Sequence, residues 1–153
     1  MQQRNSRKMI SILFFPPVDI DKHQFHKMVF PLAKSNLFEV YVINRPADLF
    51  IDAIHGYKRL RKKFSITPPQ SAKIKLIVPF VFFNEAIHES WCSWFNINMK
   101  MFIWQVRNLI KRESIDPAKL ILWSYSPLHW KVMKEIPAKR KIYGVEDERC
   151  YDA

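Results

Sequence analysis

Met9–Phe15 (MISILFF) constrains this chain more than any other stretch. Seven residues run without polar alternation, as in a strand covered on both faces, the usual setting of a parallel sheet. Pro16-Pro17 ends the run, and the loop and helix start beyond it carry Asp19, Asp21, His23 and Gln24. In open α/β sheets ligands bind outside the carboxyl ends of the strands. Pro17, Asp19, His23 and Gln24 are therefore candidate substrate-binding residues. The next helix start offers amides to an anion or a sugar hydroxyl. The alternative is that Asp19 or Asp21 simply caps that helix.

The rest of the chain alternates in the same manner. Lys22–Asn36 has helical spacing, and Pro31 inside it implies a kink or a shifted boundary. Leu37–Asn44 reads as a second strand. Ala47–Phe64 reads as a helix, with Asp48 in its first turn and the cations Lys58–Lys63 in its last. Lys73–Phe83 is a third strand that Pro79 should end, bend or confine to an edge.

Glu85–Arg112 is the longest helical pattern, with Ile87, Trp91, Trp94, Phe95, Phe102, Val106 and Leu109 on one side. Lys119–Tyr125 is a fourth strand, His129–Ile136 a short helix and Arg140–Val145 a fifth strand. Strands alternating with helices predict an α/β fold with a parallel sheet of about five strands and helices on both faces, joined by right-handed crossovers. A basic leader, residues 1–8, precedes one domain, residues 9–153; this length accommodates one core.

Only two glycines, Gly56 and Gly144, occur in 153 residues, where about 7% is usual. A glycine-rich phosphate cradle is thereby excluded. The two cysteines, Cys92 and Cys150, allow one disulfide at most. With no secretory segment ahead of them, a reducing cytoplasmic setting is expected. The five histidines lack the spacing of a metal site, and no cofactor is expected.

A net charge of +11 calls for an acidic partner or surface. No helix-turn-helix, zinc finger or aromatic RNA-binding motif accompanies it, so nucleic acid is the disfavoured partner. Ile97, Met101 and Trp104 form a second apolar patch on the long helix, away from its core stripe, beside Lys100, Arg107 and Lys111. Ile97, Lys100, Met101 and Trp104 are candidates to face an anionic membrane surface. The alternative is that another protein element covers the patch.

Two further groups sit at strand ends. Ser124, Tyr125 and Pro127, at the end of the fourth strand, are candidate substrate contacts, without the glycines of a nucleophile elbow. Glu146 and Asp147 follow the fifth as candidate acid–base groups. Their plain alternatives are turn chemistry and a solvated acidic turn.

Three segments together resemble a family. ILFFPPVDIDKHQFHKMVFPLAKSNLFEVYVINRP, LILWSYSPLHW and KIYGVEDERCYDA look like parts of GT-B glycosyltransferases of the teichuronic acid biosynthesis group. The resemblance implies a Rossmann-like domain, the N-terminal, acceptor-side half of the GT-B fold. It implies a nucleotide-sugar donor as substrate and a polysaccharide or lipid-linked acceptor; taken with the patch on the long helix, the expected location is cytoplasmic, peripheral on the inner face of the cell membrane. Asp19 and Gln24 would then line the interdomain cleft, with Ser124–Pro127 and Glu146-Asp147 opposite the donor sugar. The C-terminal donor domain is expected to be missing, leaving the chain inactive unless a partner chain supplies it. The competing expectation is a non-catalytic basic α/β module that binds nucleic acid or nucleotide.

Overall fold

The computed structural model describes residues 9–16, 29–35, 37–44, 46–48, 74–82, 92–125 and 129–144, with the side chains of residues 92–95 outside the description. Five strands form one parallel sheet: β1 (Ile10–Phe15), β2 (Phe38–Ile43), β4 (Ile74–Ile77), β6 (Leu120–Ser124) and β7 (Arg140–Tyr143). Their order is β4-β2-β1-β6-β7, the Rossmann-like arrangement in which the first strand lies centrally. Leu13 pairs with Tyr41 on one side and Leu122 on the other.

Strand periodicity divides β1 between two cores. Leu13 and Phe15 join Tyr41, Ile43, Leu120 and Leu122. This side packs against α2 (Cys92–Arg112) and α3 (Trp130–Glu135) through Phe102, Val106, Leu109, Val132 and Met133. Ile12 and Phe14 join Val40, Val42 and Ile74 against Val29 and Ala33, which belong to α1 (Phe30–Lys34) and its N-cap. Helices thus cover both faces. The uninterrupted apolar run of β1 follows from this double burial, since Ile12 to Phe15 are at most 3% exposed.

Pro31 lies in the first turn of α1, a helix boundary such as it implied, where its missing N–H removes no hydrogen bond within α1; residues 22–28 of the expected first helix lie outside the described residues. Ala47–Asp48, expected to open a helix, is instead a short strand, β3. The Ala47 N–H donates to the Pro79 carbonyl at 2.8 Å, and β3 pairs in parallel with β5 (Phe80–Val81). Pairing with a distant strand overrides the local helical spacing. Residues 49–64 of that expected helix lie outside the described residues. The third strand divides at Val78-Pro79: β4 stays in the main sheet and β5 enters the two-stranded one.

The long helix ends without glycine. Ser114 takes the left-handed conformation, φ 53°, while Ile115 N–H donates to Ile110 O at 2.9 Å and Ser114 N–H to Lys111 O at 3.2 Å. This is a Schellman C-cap, and Ile115 and Ile110 supply its apolar contact. No helix among the described residues is long and apolar enough to cross a membrane.

Candidate functional site at the switch point

β1 and β6 are neighbours in the sheet, yet the chain leaves them toward opposite faces. From β1 it runs to α1 on one face, and from β6 to α3 on the other. Their carboxyl ends therefore flank the topological switch point, where open α/β sheets leave a crevice.

The residues at these strand ends are held by the sheet itself. Ser124, the last residue of β6, is in register with Phe15 and with Tyr143. Just beyond, the Tyr125 N–H donates to the Phe15 carbonyl at 3.3 Å, and the Gly144 N–H donates to the Ser124 carbonyl at 2.8 Å.

Ser124 and Tyr125 serve different faces because successive strand residues point oppositely. The Ser124 hydroxyl is fully buried, on the side of α2 and α3, 2.9 Å from Nδ1 of His129. His129 precedes the first turn of α3 as its N-cap residue. Its ring stacks on Phe102 (centroids 5.7 Å apart, 22° between planes) and leans on Phe15 at 5.1 Å. The pair thus anchors both ends of the β6–α3 connection. The Ser124 hydroxyl and the His129 ring meet in the protein interior, between the end of β6 and the start of α3.

Tyr125 lies with the opposite cluster, 5.9 Å from Phe14 and 5.8 Å from Trp123. Its ring covers Gly144 so closely that a Cβ there would sit 2.2 Å from Tyr125 Cε1. The half-buried Trp123 completes the cluster edge-on to Phe14 at 5.4 Å. Its buried indole N–H has no acceptor among the described residues.

Asn44, directly after β2, adds another buried polar side chain at the carboxyl end of the sheet. Its backbone N–H donates to the Ile77 carbonyl at 2.8 Å. Sequence reasoning passed over both Asn44 and the Ser124–His129 pair. The signal was a polar residue ending an apolar strand, with a histidine at the following helix start.

Of the residues singled out from sequence, Ser124 and Tyr125 are at the switch point. Pro17, Asp19, His23, Gln24, Pro127, Glu146 and Asp147 lie outside the described residues. Ile97, Lys100 and Trp104 are exposed on α2, and Met101 is half-buried. No group of three His, Cys, Asp or Glu side chains suited to a metal ion occurs among the described residues. No family model, curated protein or solved structure shows a significant match to the chain.

Proposed function

We propose that this chain is the acceptor-side domain of a nucleotide-sugar-dependent glycosyltransferase of cell-surface polysaccharide biosynthesis. The observation that carries the reading is the switch point between β1 and β6, with Ser124, Tyr125 and Gly144 at its rim. The segments resembling the GT-B group include β1, β2, β6 and β7, four of the five strands of this sheet. Glycine-poor loops suit a saccharide better than a pyrophosphate, because a phosphate cradle needs close backbone approach. The domain would bind acceptor by itself and transfer sugar only when joined to a donor-binding half. The same reading sets the chain in the cytoplasm, peripheral on the inner face of the cell membrane.

Amide NMR titration tests this. Oligosaccharide or lipid-linked saccharide acceptors are expected to shift the Phe15, Ser124, Tyr125 and Gly144 amides saturably, and nucleotide sugars only weakly. An absence of saccharide-dependent shifts would sink the reading. Micromolar RNA or duplex-DNA binding with steep salt dependence would establish the basic-module alternative instead.

A further inference from the structure

The outer side of α2 carries an apolar strip that the core does not use. At 100° per residue, Phe102, Val106 and Leu109 face the sheet, while Ile97, Lys100, Trp104 and Lys111 lie on the opposite side. Ile97 is 45% exposed and Trp104 56%.

The strip continues onto β5, because α2 clamps that strand with two amide side chains seven residues apart. Gln105 Oε1 accepts from the Phe80 N–H at 3.0 Å, and Gln105 Nε2 donates to the Phe80 carbonyl at 2.7 Å. Asn98 Oδ1 accepts from the Phe82 N–H at 3.2 Å. The Phe80 and Phe82 side chains are held beside the helix, 40% and 38% exposed.

The charge on α2 itself has one sign. All 21 residues of α2 lack a carboxylate, and four of them are Lys100, Arg107, Lys111 and Arg112. Arg107 pairs with Glu135 and Arg112 with Glu113, which leaves Lys100 and Lys111 flanking Trp104. On α3, exposed Trp130 lies under the Lys131 ammonium, 5.4 Å from its ring centre.

A contiguous exposed apolar patch marks a docking surface, and the cations Lys100 and Lys111 on a helix without carboxylates select an anionic one. We propose that the outer face of α2, together with Phe80 and Phe82, docks on an anionic lipid bilayer. Trp104 and the phenylalanines enter the headgroup boundary, and Lys100 and Lys111 meet lipid phosphates. α2 feeds into the amino end of β6, so its amino half, with Ile97 and Lys100, lies toward the carboxyl ends of the strands. Docking rests on the peripheral location proposed above and not on the sugar chemistry.

The test is co-sedimentation of the full chain with vesicles of phosphatidylcholine alone or with phosphatidylglycerol added. Binding is expected only to the anionic vesicles and should weaken with salt. Trp104→Glu should abolish it. Lys100→Glu and Lys111→Glu, which each change the charge by two, should each weaken partitioning by at least about five-fold. These side chains are exposed, and an unchanged thermal melt verifies that the variants fold. Equal binding to neutral vesicles, no binding, or full binding by both Trp104→Glu and the double charge reversal overturns the proposal. So does a dimer abolished by Trp104→Glu without vesicle binding, which would make this face a self-association surface. Acceptor titration at the switch point is read separately, so either idea can fail alone.

Discussion

Ser124 Oγ and His129 Nδ1 lie 2.9 Å apart inside the protein, joining the last residue of a central strand to the N-cap of the next helix. Removing the hydroxyl leaves a buried ring nitrogen without it, at a cost of about 1–2 kcal/mol. Ser124→Ala is expected to lower the urea midpoint accordingly with an unchanged m-value. In a His129→Ala background the same substitution should cost clearly less, because the pair is already broken.

Gly144 is required by contact, with the Tyr125 ring where its side chain would be. Gly144→Ala is expected to destabilise by about 1–3 kcal/mol through overpacking and to shift the Tyr125 ring resonances. Tyr125→Ala should relieve most of that penalty in the double variant. Additive losses in chemical denaturation would contradict the contact.

Ser114 holds a left-handed backbone at the end of α2 that glycine adopts without strain. Ser114→Gly is expected to raise stability by about 0.5–1 kcal/mol, read as a higher melting temperature. Ser114→Val should lower it.

The Tyr41 phenol is pushed up to about 12, chiefly by burial and secondarily by the Glu39 carboxylate. Lys75 is raised as well, first through its bond to Glu113 at 2.5 Å. Both groups hold their protons longer folded than unfolded. The stability they contribute is complete below pH 10 and is lost as pH rises from 10 through about 12 for Tyr41, and at still higher pH for Lys75. Thermal melts across that window should fall, and Tyr41→Phe should flatten the fall. An absorbance titration should show one tyrosine ionising near pH 12.

The same cluster acts at the acidic end. Lys75, then Arg112, hold the Glu113 carboxyl below its usual range. Its contribution is present above the ordinary carboxylate pKa and disappears as pH falls through the lowered value. Glu113→Gln should therefore reduce the difference in melting temperature between neutral and strongly acidic pH. An unchanged difference would show that the Lys75–Glu113 pair adds nothing to stability.

Local pattern determined the elements whose burial is continuous. Met9–Phe15 spelled a doubly covered strand, and the covered stripe Phe102, Val106 and Leu109 did the same for α2, because period and burial are written residue by residue. Pro79 marked a break in its strand for an equally local reason, its fixed φ and absent donor. Tertiary structure decided what depends on partners distant along the chain. Ala47–Asp48 became a strand because Phe80–Val81 was there to pair with it. Ser124 and Tyr125, adjacent in sequence, went to opposite faces and acquired His129 and Gly144 as unrelated partners. The switch point exists only because β1 and β6, more than a hundred residues apart, lie side by side. Spacing along a chain encodes which face a residue takes, while the identity of its neighbours across the sheet is settled only on closure of the fold.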